Sequence, residues 1–182
     1  MPHDSKGNYY EFRKAVDLRL GDWREVTTAG AVGAVAAAAG HLASDTTPIF
    51  GAQATSEAWA IKWAAANSDI IQLATALPPD FSGADDVLLE LEVLTDNAGG
   101  GGIEAGTFSV LTSWDNGAQV TDAATDSAPA VTVHTVTALI SAADIPDAPR
   151  FANIQLVLGT HANDPVHIMS ARLLYVPRVK AA

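Results

Sequence analysis

The run Asp86-Val87-Leu88-Leu89-Glu90-Leu91-Glu92-Val93-Leu94-Thr95 carries the plainest structural pattern in the chain. Val87, Leu89, Leu91 and Val93 fall on one side of an extended backbone, while Glu90 and Glu92 fall on the other. A period of two with one apolar side marks a strand between a core and water. The same alternation recurs downstream. Phe108, Val110, Thr112 and Trp114 form one set, closed by Asp115-Asn116-Gly117. Ala152, Ile154, Leu156 and Leu158 form another, with Asn153 and Gln155 outward. Met169, Ala171, Leu173 and Tyr175 oppose Ser170 and Arg172 in a last strand. Val131–Ile140 is rich in Val and Thr and suits a half-exposed pleat, whereas 121–129 reads as polar turn.

Upstream, Trp59, Ile61 and Trp63 share one parity, and Asp69–Ala74 follows across Asn67-Ser68. Leu77-Pro78-Pro79-Asp80-Phe81-Ser82-Gly83 reads as a stiff connection. About seven strands after residue 57 is the spacing of an antiparallel sandwich or barrel. An eighth is available from Trp23–Thr27 or Pro48–Ala52. The expectation is an all-β chain, a jelly-roll-like antiparallel β-sandwich with an extended N-terminal arm. An immunoglobulin-like sandwich is the nearest rival, but there is no cysteine pair.

Residues 1–52 look different. Tyr9, Tyr10, Phe12 and Trp23 are spaced among charges, and a Gly- and Ala-rich stretch from Ala29 to Ala43 follows. Three glycines in Gly30–Gly40 oppose a helix there. The division expected is 1–52 as arm and 53–182 as sandwich, the arm's aromatics being covered by a neighbour or by its own barrel.

Charge narrows the partners. Lys6, Arg13, Lys14, Arg19 and Arg24 balance Asp4, Glu11, Asp17, Asp22 and Glu25, so the remainder holds the whole net charge of −11. An acidic body repels phosphates and anionic membrane surfaces, so neither nucleic acid nor membrane is expected as partner. The start is polar and shows no signal peptide, and Ala29–Ala43 is too short and too weakly apolar to span a bilayer. Without cysteine there is no disulfide, thiolate ligand or thiol nucleophile.

Candidate chemistry is thin. His161 and His167 flank the last turn with Asp164 between them, but no HxH or HExxH spacing supports a metal. His134 reads as an exposed strand residue. The pairs Asp122/Asp126 and Asp144/Asp147 sit in turns, where a raised carboxyl pKa is not expected. Asp96, Asn97 and Glu104 offer oxygen ligands without the EF-hand spacing. Gly99–Gly102 lacks the GK[ST] ending of a phosphate loop, and no serine has a GxSxG context. No catalytic residue, metal or cofactor is expected. Trp59 and Trp63 read first as core, and as a sugar-stacking platform otherwise.

The runs Glu57-Ala58-Trp59-Ala60-Ile61-Lys62-Trp63, Asp69-Ile70-Ile71 and Leu77-Pro78-Pro79-Asp80-Phe81-Ser82-Gly83-Ala84-Asp85-Asp86-Val87 resemble a pattern of tailed-phage virion proteins. Leu173-Leu174-Tyr175-Val176-Pro177 matches its close, and Trp23-Arg24-Glu25-Val26 with Thr46-Thr47-Pro48-Ile49-Phe50 resembles the preceding arm. The family is the jelly-roll capsid decoration, or cement, proteins. The resemblance implies a homotrimer, made in the host cytoplasm, on the outer surface of an icosahedral phage head. Its partner would be the major capsid protein lattice, and its arm contacts Tyr9, Tyr10, Phe12, Arg13, Trp23 and Arg24. The alternative is a tail-fibre or carbohydrate-binding β-sandwich module, which would use Trp114, the glycine loop, His161 and His167 on a host-surface glycan.

Overall fold

The alternating runs pair into two antiparallel sheets. The computed structural model describes residues 12–26, 42, 48–52, 59–64, 69–95, 107–126, 131–159 and 165–178. In chain order the strands are β1 (Lys14–Asp17), β2 (Arg24–Val26), β3 (Ile49–Ala52), β4 (Trp59–Trp63), β5 (Ile70–Ala76), β6 (Val87–Thr95), β7 (Thr107–Trp114), β8 (Val120–Thr125), β9 (His134–Ile140), β10 (Phe151–Leu158) and β11 (Val166–Tyr175). One sheet is ordered β3-β4-β11-β6-β9, with β1 also on β11; the other is ordered β2-β5-β10-β7-β8. Two 3-10 turns, Leu20–Asp22 and Ala142–Asp144, are the only helical elements among the described residues. The chain is an antiparallel β-sandwich of jelly-roll type.

Alternation builds the core between the sheets. Val87, Leu89, Leu91 and Val93 of β6 are wholly buried, as are Ala152, Ile154, Leu156 and Leu158 of β10. Phe81 lies within 4.7 Å of Tyr175 and 5.7 Å of Trp114, ring centre to ring centre, and Trp63 meets Phe108 edge-on at 6.4 Å. Aromatic pairs at these separations add to the burial of their area.

Four expectations are corrected. The described strands within 1–52 pair into the sandwich rather than reaching away as an arm, and β2 and β3 fall in the Trp23–Thr27 and Pro48–Ala52 segments offered for an eighth strand. β1 pairs with β11, β2 with β5 and β3 with β4, so a boundary at 52/53 cuts a paired set. Segment 12–26 passes from one sheet to the other through the Leu20–Asp22 turn. Second, Trp23 is 1% exposed and belongs to the chain's own core, because burying an indole in its own sandwich needs no partner. Third, the polar run at 121 is β8, held by a full ladder to β7. Fourth, β11 shifts register between Ile168 and Ser170, so Ile168 joins the core in place of Met169.

Candidate functional site

The outer surface of the five-stranded sheet is built from the side chains that alternation turns away from the core. One row crosses the strands in register: Arg24, Gln72, Gln155, Leu111 and Thr121. At about 4.8 Å per strand, that row is roughly 19 Å long. Beside it lies a second row of Ala74, Asn153 and Ser113, with Gln119 just before β8. On the other flank run Val26, Ile70 and Val157. Of that flank Val26 is buried and Ser109 continues the row opposite Val157, so Ile70 and Val157 form a small apolar patch beside the polar lane.

The polar lane is wired. Gln119 Nε2 donates to Gln155 Oε1 at 3.0 Å, and Gln155 Nε2 donates to Gln72 Oε1 at 2.8 Å. Asn153 Nδ2 donates to Ser113 Oγ at 3.4 Å. Gln155 is only 7% exposed although it faces outward, because its amide is sandwiched between the other two. A primary amide has two donor hydrogens and one two-lone-pair acceptor, so this chain leaves a donor on Gln72 and acceptor capacity on Gln119. At the Gln72 end opens a groove of about 270 Å³ lined by Asp22, Arg24, Val26, Gln72, Leu73 and Ala74. Arg24 Nη1 donates to the carbonyls of Gly21 and Trp23 at 2.9 and 2.8 Å, which ties the guanidinium down beside it. The surface therefore offers fixed amide donors and acceptors, with the charges of Arg24 and Asp22 at the groove end.

Of the residues named from sequence, Trp114 and His167 are each 1% exposed and cannot meet a ligand from solution. Trp114 packs on Phe81 in the core. His167 lies on β11 opposite Lys62 and Leu94 and is enclosed there. His161, Tyr9 and Tyr10 lie outside the described residues, as does the glycine loop. Phe12 is 71% exposed, and Arg13 Nη1 donates to the Asp86 carbonyl at 2.8 Å. Trp63 is buried with its indole N–H on the Asp69 carbonyl at 3.0 Å, while Trp59 is 62% exposed. Gln72, Gln119 and Gln155 were missed as a set; only the outward parity of Gln155 was readable, since pairing register decides which amides meet.

Two acidic side chains among the described residues are held above their ordinary pKa. Burial, then the charge of Asp144, raises Asp122, contrary to the unperturbed turn carboxyl expected. Burial, then Asp69, raises Glu25. Among the described residues no three His, Asp or Glu side chains converge on a point where a metal would sit.

No family model matches the chain, and no curated protein matches it. Solved structures do. A xylan-binding module, CBM15, superposes with a TM-score of 0.57 at 12% identity, over 92% of this chain and 100% of that one. A Clostridium thermocellum endo-1,4-beta-D-xylanase 10B chain (CBM22-1 and GH10 modules, complexed with xylohexaose) superposes with a TM-score of 0.50 at 12% identity, over 92% of this chain. A mutant Xylanase10C from Cellvibrio japonicus, in complex with xylopentaose, gives 0.50 at 11% identity over 88%. The match spans 29% and 28% of those two longer chains. At such identities the likeness is one of fold.

Proposed function

We propose that this chain is a carbohydrate-binding β-sandwich, which takes a neutral oligo- or polysaccharide on the outer face of its five-stranded sheet and performs no chemistry on it. The carrying observation is the hydrogen-bonded amide chain Gln72–Gln155–Gln119 beside the half-buried apolar pair Ile70 and Val157. Sugar rings present hydroxyls at the edge and C–H groups on the faces, and such a surface answers both. The hydroxyls need paired donors and acceptors held in place, because a ligand then orders few side chains on binding. Sharing a fold with a module named for xylan binding supports the reading. The net charge of −11 favours neutral glycans over acidic ones.

Calorimetric titration with xylohexaose, cellohexaose and mannohexaose tests it. At least one should bind, and Gln72→Ala and Gln155→Ala should each weaken binding about tenfold or more, the usual cost of leaving a buried polar group without its partner. Failure of all three sugars to bind the intact chain would end the proposal.

The virion role is a separate proposal. Its support is Phe12, a large exposed ring two residues before β1. Trp23 no longer belongs among its contacts. Co-sedimentation with phage heads, lost in Phe12→Ala, would support a head-bound trimer on the capsid lattice; absence of co-sedimentation would reject it.

A further inference from the structure

Trp23, Trp63 and Trp114 are at most 1% exposed, whereas Trp59 is 62% exposed; all four tryptophans lie among the described residues. Leaving an indole in water forgoes the largest burial any side chain offers, so an exposed one held in a set pose points to a ligand. Trp59 shares the inward parity of Ile61 and Trp63 but stands at the first position of β4, beyond the packed centre. Its ring rests on Phe50 with centroids 5.2 Å apart and planes tilted by 52°, and Phe50 itself packs against the core. The indole is propped rather than dangling.

On the other side of Phe50 lies the Leu20–Asp22 turn: a Cβ on Gly21 would stand 3.5 Å from the Phe50 ring. Asp22 of that turn lines the groove that ends on Gln72. The Leu20–Asp22 turn thus links Phe50, on which Trp59 rests, to the groove at the Gln72 end of the amide lane.

We infer that Trp59, backed by Phe50, is a second contact step that stacks on the apolar face of a pyranose ring, in the same neutral glycan chain that occupies the amide lane. The inference rests on the carbohydrate-binding reading above. The ligand class is a neutral β-linked polymer with equatorial hydroxyls, since such rings present a flat C–H face to an indole while turning their hydroxyls toward amides. A ligand that reaches around the sheet edge must be longer than one that fills the groove alone, so affinity should rise with chain length.

The test uses the full chain with xylose- and glucose-based β-1,4 oligosaccharides of two to six units, read by calorimetry and by acrylamide quenching of tryptophan fluorescence. Only Trp59 is open to the quencher, so saturating hexasaccharide should lower quenching while disaccharide leaves it unchanged. Trp59→Ala should abolish that change and weaken hexasaccharide binding about tenfold, and Trp59→Phe should keep most of the affinity. Hexasaccharide binding with unaltered quenching and unaltered affinity in Trp59→Ala overturns the inference and leaves the amide lane standing. No binding by the intact chain removes both. Light scattering that shows an oligomer dispersed by Trp59→Ala would make the ring a self-contact and overturn the inference too.

Discussion

His134 shows how little of a side chain's role its own position reveals. In sequence it is one histidine among threonines. In the fold its Nε2 lies 2.8 Å from Asp126 Oδ2 and its Nδ1 lies 3.0 Å from the Thr132 carbonyl. Both partners accept, so satisfying both requires a hydrogen on each ring nitrogen, which is the imidazolium. Burial opposes that cation, but the Thr132 carbonyl, Asp126 and Glu92 outweigh it, and the pKa is raised above 6.5. Stability from this contact is therefore complete below 6.5 and is lost as pH rises through the higher folded value. Urea unfolding from pH 5 to 9 should show that loss in the native chain and not in His134→Gln; equal pH dependence in both would refute the assignment. Gly83 is a second such residue. A Cβ there would fall 2.2 Å from the Pro146 carbonyl oxygen and 2.6 Å from Ile145 Cγ2, so Gly83→Ala should cost roughly 1–3 kcal/mol by the same measurement. A loss near zero would mean the two loops part freely. Nothing local distinguishes this glycine from those in turns, because its constraint comes from a loop about sixty residues away.

Elements were legible where periodicity was strong and invisible where pairing alone makes the strand. β6 and β10 announce themselves by four inward aliphatics each, but Val120–Thr125 has no such row and becomes β8 only by its ladder to β7. The turn between them is written in the sequence. Asp115 and Asn116 both take positive φ (47° and 66°), Gly117 N–H closes on the Trp114 carbonyl at 2.7 Å, and the Asp115 carboxylate accepts the N–H groups of Arg150 and Phe151. That clamp joins the β7–β8 turn to the start of β10. Asp115→Ala should lose about 1 kcal/mol in denaturant titration, and an unchanged midpoint would show the clamp to be idle. A second tie fastens β1 and β11 to the Pro78–Gly83 connection: Asp80 accepts from Lys14 Nζ at 2.5 Å and from the Tyr175 hydroxyl at 2.9 Å. Lys14, then Tyr175, holds Asp80 below 3.8, so its contribution is present above that value and lost as pH falls through the lower folded one. Burial, then Asp80, pushes Tyr175 up to about 12, so its contribution is whole below 10 and lost as pH rises toward 12. Asp80→Asn should flatten the acid limb of a stability–pH curve and Tyr175→Phe the alkaline limb; limbs unchanged by either substitution would place the acid and alkaline losses elsewhere.

For the molecule as a whole, alternation in the chain was enough to specify an all-β sandwich, the fold of the xylan-binding module it superposes on. The division into arm and body was not legible, since Lys14–Asp17 is too short to show a period and Arg24–Val26, though offered as an extra strand, gains its place only by pairing with β5. The candidate site was hidden for the same reason: residues 72, 119 and 155 are far apart in the chain and meet through register. Whether that lane holds a sugar is a question its own amide protons can answer. Two-dimensional nitrogen–proton NMR of the labelled chain, titrated with xylohexaose or cellohexaose, reads the side-chain NH2 groups directly. The expected result is saturable shifts concentrated on Gln72, Gln119, Asn153 and Gln155, with the outer face of β6 and β9 unmoved. Shifts confined to that opposite face, or none with any neutral oligosaccharide, would contradict it.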